Sequence, residues 1–291
     1  MNDISVKALA KINLGLDVVR RREDGYHEVR MVMQTIHLFD RLEISRNDSG
    51  RITMETNLSF LPTNENNLVY KAAKLLQDEF AIKDGVHVWL HKYIPVAAGM
   101  AGGSTDAAAV LYGMNRIFEL GLTKEQLMER GVKIGADVPY CIMRGTALAE
   151  GIGEKLTKLP PMVKCPVLIA KPQISVSTKF VYENLKLNDN TIHPDIDRLV
   201  ADIKEGDLIR IAADMGNVLE TVTIPEYPVI AEIKENMMQN GAVNAMMSGS
   251  GPTVFGLFAD ESSAVKAYEA MKESNLAKQV YLTSIYNNAR K

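Results

Sequence analysis

The chain has 291 residues, of which 46% are hydrophobic and 24% charged, so it can bury a sizeable core as one large domain or two moderate ones. Lysine and arginine number 33 against 36 aspartate and glutamate residues, which gives a formal net charge of -3. This balance gives no support to a general binder of nucleic acids or anionic membranes, because such proteins usually carry a basic excess; a local basic patch is compatible with it.

Cysteine usage and the distribution of apolar residues indicate a cytoplasmic protein. Cys141 and Cys165 are the two cysteines, and they lack the spacing of a metal site. Two thiols in so long a chain indicate a reducing compartment and no disulfide framework. The first residues lack the basic segment and apolar run of a signal peptide. Residues 239–259 form the longest uncharged stretch, but several glycines and Pro252 interrupt it. We predict buried strands flanking a glycine turn there, and no membrane helix.

The first half of the chain predicts strands followed by a helix and a further strand. Residues 6–19 and 29–44 are rich in apolar and β-branched side chains, and the polar segment 20–25 between them predicts a turn. Residues 67–80 place their apolar side chains on one helical face. Residues 85–91 alternate between apolar and polar side chains, which is typical of a strand.

The middle of the chain contains two helix starts and a break. A strong helix opens near Gly103, and we predict Ser104 or Thr105 as its N-cap. Thr123 and Gln126 have the spacing of a capping box for another helix. Residues 159–162 (Leu-Pro-Pro-Met) interrupt the pattern, so we predict a first domain over residues 1–160 and a second over residues 161–291.

The last part predicts alternating strands and helices. Strands are expected at residues 167–170, on both sides of residues 248–252 and near Val280, and a helix at residues 261–272. The whole chain therefore predicts an α+β protein, with a strand-rich first half and a mixed second half.

A glycine-rich segment, residues 95–105, is the most informative part of the sequence. It is uncharged, consists mainly of small residues, and leads directly into the predicted helix. Glycines allow the backbone to approach a ligand closely, and a helix N-terminus attracts anions, so the segment is suited to a polyphosphate. An ordinary turn between a strand and a helix remains the alternative. The segment has neither the Walker A nor the dinucleotide-binding glycine pattern.

Three segments in this order resemble the motifs of the GHMP kinases, which include galactokinase and the homoserine, mevalonate and phosphomevalonate kinases. Residues 10–16 (Ala-Lys-Ile-Asn-Leu-Gly-Leu) are similar to the first motif, and residues 95–105 to the second. In the second motif, Met100 replaces the usual leucine and Thr105 a serine. Residues 247–253 (Met-Ser-Gly-Ser-Gly-Pro-Thr) are similar to the third motif. The resemblance extends over essentially the whole chain.

Two further segments resemble the subfamily of GHMP kinases that acts on 4-diphosphocytidyl-2-C-methyl-D-erythritol. They are residues 22–29 (Arg-Glu-Asp-Gly-Tyr-His-Glu-Val) and residues 135–140 (Gly-Ala-Asp-Val-Pro-Tyr). The resemblance implies ATP-dependent phosphorylation of the 2-hydroxyl group of that compound, giving the 2-phosphate and ADP on the methylerythritol phosphate route to isoprenoid precursors. It implies a small-molecule substrate, and neither nucleic-acid nor membrane partners.

The resemblance also implies the fold and the catalytic residues. The expected architecture has an N-terminal domain like ribosomal protein S5 domain two and a ferredoxin-like C-terminal domain. Lys11 by itself could be a strand-end lysine that reaches solvent, and Asp137 could be a helix cap. By resemblance, Asp137 accepts the proton of the attacking hydroxyl and Lys11 stabilises charge. Mg²⁺ is expected to accompany ATP, with no protein ligand identified.

The resemblance assigns binding residues as well. Tyr26 is expected to stack on cytosine and His27 to bind its polar edge, although both fit an ordinary turn. Thr178 and Tyr182 are expected at the substrate, with Phe180 as the alternative second aromatic, and Asn13 at the methylerythritol end. The predicted ATP-binding residues are Pro95, Val96, Ala97, Ala98, Gly99, Met100, Ala101, Gly102, Gly103, Ser104 and Thr105, together with Asn67 and Lys92 beside the adenine.

Two rival functions remain open at the level of sequence. Another GHMP kinase, of the homoserine or mevalonate type, would share the three motifs, but the Tyr26-His27 segment argues for the cytidyl substrate. A non-catalytic binding module is the second rival, because the S5-like fold also serves RNA binding. The presence of both Lys11 and Asp137 counts against that module.

Overall fold

The structure is a computed structural model that describes residues 2–188 and 191–288. Contacts between residues divide the chain into two compact units. The first unit contains the residues up to Ala10, Phe39–Val96 and Ala101–Met143. The second contains Lys11–Leu38, Ala97–Met100 and the described residues from Arg144 onward.

The described residues form the following strands and helices. The strands are β1 (Asp3–Arg21), β2 (His27–Asn47), β3 (Ile52–Thr56), β4 (Gly85–His91), β5 (Thr146–Gly151), β6 (Lys155–Lys158), β7 (Pro166–Lys171), β8 (Gly216–Asn217), β9 (Asn244–Met247), β10 (Val254–Leu257) and β11 (Gln279–Ser284). The helices are α1 (Leu68–Glu79), α2 (Gly102–Ile117), α3 (Lys124–Val132), α4 (Val138–Met143), α5 (Thr178–Asn184), α6 (Ile196–Glu205), α7 (Leu208–Ala213), α8 (Glu220–Glu226), α9 (Val229–Gln239) and α10 (Glu261–Glu273).

The first unit packs helices against a small sheet. Strand β4 pairs antiparallel with the end of β2 and parallel with β3. Helix α1 begins after Asn67, whose side chain accepts a hydrogen bond from Val69 N, and its apolar stripe is buried as the helical spacing predicted. Helix α1 packs on α2, and α3 and α4 pack together. The predicted capping box at Thr123 and Gln126 is present at the start of α3.

The second unit contains a four-stranded antiparallel sheet in the order β11-β7-β10-β9. Numbered along the chain, this order is 4-1-3-2, with helices between its first two strands and between its last two. This arrangement is the ferredoxin-like pattern that the sequence analysis expected. In the same unit, β5 pairs with β2 and β6, and the short β8 pairs in parallel with β1 at Gly15 and Leu16.

The predicted strands and helices are confirmed, and the expected α+β class with them. Within residues 239–259, the strands β9 and β10 flank the glycine-containing segment 248–253, as predicted, and Gln239 is the last residue of α9. No helix in the described part of the chain is long and apolar enough to cross a membrane. Residues 159–162 lie between β6 and β7, outside regular structure, where Leu159 N donates to Thr146 O and Met162 N to Thr146 Oγ1.

Candidate active site

Lys11 and Asn13 lie on the same face of β1, because side chains alternate along a strand. Lys11 Nζ donates a hydrogen bond to Asn13 Oδ1 at 2.6 Å, and the exposed fractions of the two residues are 5% and 0%. The alternative interpretation of Lys11 as a lysine that reaches solvent is therefore wrong. An ammonium group carries three N–H donors, and the bond to Asn13 uses one of them.

A backbone hydrogen bond joins β1 to the glycine-rich segment within the second unit. Lys11 N donates to Met100 O at 3.2 Å. The residue predicted to act on the phosphoryl group is therefore directly bonded to the loop predicted to bind phosphates.

The glycine-rich segment has an unusual backbone. Ala97, Gly99 and Ala101 have φ values of 50°, 71° and 54°, all in the left-handed region. This conformation costs about 1–3 kcal/mol for a residue other than glycine, and such strain is typically retained at ligand-binding loops. Left-handed residues are one component of the backbone concavities that bind anions in phosphate-binding loops. The conformation thus supports the predicted phosphate-binding role.

Helix α2 begins one residue earlier than expected, at Gly102, with Ala101 in the N-cap position. The prediction of Ser104 or Thr105 as N-cap is wrong, because both residues lie inside the helix, and Thr105 Oγ1 instead donates to Leu9 O at 2.8 Å. Ala101, as the N-cap residue, makes no side-chain capping hydrogen bond. The first N–H groups of a helix lack intrahelical acceptors, so an anion can bind them.

The third motif contacts the second motif within the second unit. Ser248 Oγ donates to Gly99 O at 3.0 Å, and a Cβ atom on Gly99 would lie 2.0 Å from Ser248 O. The buried Asn217 binds the backbone of the third motif, because its Nδ2 donates hydrogen bonds to Met247 O and Gly249 O, both at 2.8 Å. Asn217 lies on the two-residue strand β8 and was not predicted, because no sequence pattern marks that position.

Asp137 lies in the first unit, immediately before α4. Its backbone carbonyl accepts a hydrogen bond from Cys141 N at 3.0 Å, while the residue as a whole is half-buried. Val138 and Tyr140, which follow it, are almost completely buried and anchor the segment. The catalytic role of its carboxylate stays a prediction.

The predicted cytosine-binding residues are partly assembled in the second unit. The rings of His27 and Tyr182 are 5.1 Å apart between centroids, at an interplanar angle of 42°. Tyr26, in the turn between β1 and β2, is 62% exposed, so its side chain is accessible to a ligand. Burial lowers the pKa of the His27 imidazole, and the nearby Arg21 lowers it further. At neutral pH the neutral imidazole is therefore favoured, with one donor and one acceptor nitrogen.

Helix α5 carries the remaining predicted substrate residues. Thr178 Oγ1 and Ser250 Oγ lie 2.8 Å apart, so the start of α5 is joined to the third motif. Phe180, the alternative aromatic, is half-buried, and the ring contact with His27 is made by Tyr182 instead. This contact supports Tyr182 as the second aromatic.

The two residues predicted beside the adenine have structural partners. Asn67 caps α1 through Val69 N, and its Nδ2 donates to Pro62 O at 2.8 Å. The Lys92 ammonium group is buried between two carboxylates, those of Asp40 and Asp106. Adenine contacts of Asn67 and Lys92 stay predictions. Asp40 and Asp106 were not predicted as site residues, although Asp106 is the first charged residue after the glycine-rich segment.

The described residues contain no group of three or more histidine, cysteine, aspartate or glutamate side chains that could hold a metal ion. A magnesium ion bound through nucleotide phosphates and water, the usual mode for this ion in kinases, requires no such group of side chains.

Comparison with known proteins agrees with the motifs. The model of the GHMP kinase N-terminal domain matches residues 67–145, and that of the GHMP kinase C-terminal domain matches residues 199–277. A protein of Lachnospira eligens named 4-diphosphocytidyl-2-C-methyl-D-erythritol kinase is 58% identical over 286 residues, 98% of this chain and 99% of its own. A protein of the same name from Lachnoclostridium phytofermentans is 56% identical, over 99% of both chains.

Solved structures show the same fold. The crystal structure of a 4-(cytidine 5'-diphospho)-2C-methyl-D-erythritol kinase superposes with a TM-score of 0.85 at 30% identity, covering 98% of this chain and all of its own. A homoserine kinase from Cytophaga hutchinsonii has a TM-score of 0.82 at 22% identity, over 99% of this chain and 96% of its own, a likeness in fold. Two matched domain models and relatives of 58% identity along nearly the whole chain place this protein in the GHMP kinase family.

Proposed function

We propose that this chain transfers the γ-phosphoryl group of ATP to the 2-hydroxyl group of 4-diphosphocytidyl-2-C-methyl-D-erythritol, giving the 2-phosphate and ADP. The observation that carries this proposal is the 58% identity, along 98% of the chain, to a relative named for that kinase activity. The reaction belongs to the methylerythritol phosphate route to isoprenoid precursors.

ATP is the phosphoryl donor in this proposal, and residues 95–105 form its phosphate site. The left-handed residues of the segment and the uncapped N-terminus of α2 support this assignment, because both expose backbone N–H groups to an anion. The bond from Ser248 to Gly99 supports the loop from the third motif. Mg²⁺ bound together with the nucleotide would supply charge neutralisation.

Asp137 and Lys11 perform the chemical step. The 2-hydroxyl oxygen forms a bond to the γ-phosphorus, the bond from that phosphorus to the bridging oxygen breaks, and ADP leaves with the electron pair. Asp137 accepts the hydroxyl proton, while Lys11 stabilises the charge on the transferring group with the N–H donors that Asn13 does not use. Positioning and electrostatics contribute more than proton abstraction, because phosphoryl transfer has a loose transition state.

The substrate is recognised through its base. The cytosine ring lies between Tyr26 and Tyr182, and His27 binds its polar edge. The contact between the His27 and Tyr182 rings supports this arrangement, since it brings two of the three predicted residues together. Thr178 and Asn13 complete the substrate site.

The domain boundary is proposed near residue 160. Both family models support it, because the N-terminal model ends at residue 145 and the C-terminal one begins at residue 199. We place the reaction in the cytoplasm, and the two cysteines, Cys141 and Cys165, support this because neither forms a disulfide.

A coupled assay of ADP release tests the proposed reaction. The purified protein is offered ATP and Mg²⁺ with the diphosphocytidyl substrate, homoserine or mevalonate in parallel. We expect turnover with the first compound alone. Phosphorus NMR of its product should show a new phosphate group at the position of the 2-hydroxyl group. Turnover of homoserine or mevalonate instead would assign the chain to another GHMP activity, and no turnover at all would favour the binding module.

A further inference from the structure

A buried cluster of three charged side chains lies within the first unit, among the residues that precede and follow the glycine-rich segment. Lys92 Nζ donates to Asp106 Oδ2 at 2.8 Å and to Asp40 Oδ2 at a short distance. The exposed fractions of these side chains are 4% for Lys92, 2% for Asp106 and 0% for Asp40. Charges so deeply buried are expensive to desolvate, and removing one partner is strongly unfavourable.

The Asp40 carboxylate and Asn57 fix the segment that carries Lys92. Asp40 Oδ1 accepts hydrogen bonds from Tyr93 N at 2.5 Å and from Ile94 N at 2.8 Å. Asn57 Oδ1 accepts from Lys92 N at 2.7 Å, and Asn57 Nδ2 donates to Lys92 O at 3.1 Å. Residues 92–94 lead directly into the glycine-rich segment, so the cluster holds its beginning.

The same cluster holds the end of the segment. A Cβ atom on Gly102, the first residue of α2, would lie 2.9 Å from Lys92 Nζ. The Lys92 ammonium group therefore packs against the backbone of Gly102 and leaves no room for a side chain there. Asp106 is in the first turns of the same helix, so Lys92 binds this helix through a carboxylate and contacts its first residue.

We propose that Asp40, Lys92 and Asp106 form a positioning cluster that holds the first turn of α2 in its nucleotide-binding conformation. Lys92 thus acts on ATP through Gly102 instead of through contact with the adenine. This inference rests on the proposed function of residues 95–105 as the ATP site. It replaces an adenine-contacting role for Lys92 with an indirect one.

The charge balance of the cluster indicates which substitutions keep it. Two carboxylates face one ammonium group. Burial raises the pKa of the Asp106 carboxyl group well above its usual value; Lys92 opposes this shift and the charge of Asp40 adds to it. Asparagine resembles a neutral carboxyl group in shape and keeps an acceptor for Lys92. Leucine has a similar size but no acceptor.

The test compares Asp106→Leu and Asp106→Asn with the wild type in the intact chain. Calorimetry gives the Kd of ATP and of the diphosphocytidyl substrate, and steady-state assays give kcat and both KM values. We expect Asp106→Leu to raise the Kd and KM for ATP about 10- to 100-fold, the scale of a binding group misplaced by about 1 Å. The Kd of the diphosphocytidyl substrate should change by less than about threefold in Asp106→Leu. The Asp106→Asn protein should bind ATP with an affinity close to that of the wild type.

Asp78→Leu is the matched control, because it removes the carboxylate of an exposed ion pair with Lys74 on α1 of the same unit. It should leave the Kd of ATP unchanged. Asp106→Ala replaces Asp106→Leu if the leucine variant does not fold, since alanine fits any space that held aspartate. Wild-type protein that neither binds nor turns over ATP would refute the proposed function itself, whatever the variants do.

Three results would overturn the positioning role, and the first two concern the variants that remove the carboxyl group. One is a folded Asp106→Leu or Asp106→Ala protein with the wild-type Kd for ATP. The other is equal weakening of ATP and of the diphosphocytidyl substrate, which is expected from a general structural defect. Failure of Asp106→Asn to restore ATP affinity would likewise contradict the proposed geometry.

Discussion

Ser248 Oγ donates a hydrogen bond to Gly99 O at 3.0 Å, and this bond fastens the third motif to the glycine-rich segment. The backbones are in such close contact that a Cβ atom on Gly99 would lie 2.0 Å from Ser248 O and 2.9 Å from the carbonyl carbon. Gly99 also has a φ of 71°, so both the contact and the conformation require glycine.

We expect Gly99→Ala to displace the glycine-rich segment and to weaken ATP binding by at least about tenfold, because the Cβ atom would overlap backbone atoms that cannot rotate away. Calorimetric titration with ATP measures the effect. Gly121→Ala is the control, since Gly121 has a φ of 67° and no atom within 4 Å of the added Cβ. Gly121→Ala should lower the free energy of unfolding by about 1–2 kcal/mol, because alanine is strained in the left-handed conformation, and it should leave the Kd of ATP unchanged. Equal ATP affinity in Gly99→Ala would contradict the role of this contact.

Lys11→Met and Asp137→Asn should each lower kcat by roughly 10²- to 10⁴-fold, the usual effect of losing a charge stabiliser or proton acceptor. The Kd values of both substrates should change much less. Lys7→Met is the control on the same strand, because Lys7 is exposed, with its Nζ 4.4 Å from the centre of the Phe39 ring. Near-normal turnover in Lys11→Met or Asp137→Asn would remove that residue from the chemical step.

Base recognition predicts discrimination between cytidyl and uridyl substrates. Cytosine and uracil exchange a donor and an acceptor at two positions, and each mismatch in a buried site costs about 1–3 kcal/mol. We therefore expect kcat/KM to fall at least roughly 30-fold with the uridyl analogue. His27→Ala should narrow this gap, because a neutral imidazole offers the hydrogen bonds that read the base edge.

Tyrosine substitutions test the stacking part of the same site. Tyr26→Ala and Tyr182→Ala should weaken both analogues together, since either base has a face that stacks on an aromatic ring for about 1–3 kcal/mol. Phe180→Ala is the matched comparison and should have the smaller effect, because the ring contact with His27 belongs to Tyr182. A larger effect of Phe180→Ala than of Tyr182→Ala would show that Phe180 is the second aromatic residue that stacks on the base.

The buried carboxyl group of Asp106 predicts a pH dependence of stability. Burial raises its pKa above the value in the unfolded chain, so the folded state binds the proton more tightly. Stability from this group is therefore present at low pH and is lost as the pH rises from about 4 through the raised pKa. Asp106→Asn removes this loss, so the Tm of the variant minus that of the wild type should increase with pH in this range.

Asp260→Asn provides the opposite case. A backbone hydrogen bond from Ser263 lowers the pKa of Asp260 at the N-cap of α10, so its stabilisation is present above about pH 4 and is lost as the pH falls. Thermal unfolding from pH 3 to pH 8 measures both differences in Tm. A flat difference for Asp106→Asn would mean that the carboxyl group has the same pKa in the folded and the unfolded chain, which would contradict the raised pKa.

The sequence by itself determined the features that depend on neighbouring residues. Strand β1 and helix α1 follow from the spacing of apolar side chains, and the capping box at Thr123 follows from two residues three positions apart. The composition of residues 95–105 indicated an anion site, because glycines and a helix start act locally. The ordered motifs gave the family, which comparison with known proteins then confirmed.

The tertiary structure alone decided the contacts between distant residues. Lys92 lies 52 positions from Asp40, and no spacing rule connects such residues until the strands and helix α2 pack together. The contact of Tyr182 with His27 and the support of the third motif by Asn217 depend on packing in the same way. The start of α2 was misplaced because Ala101 adopts a left-handed conformation that alanine does not favour by itself. Such a conformation is held by surrounding contacts, which sequence patterns of period 2 or 3.6 do not record.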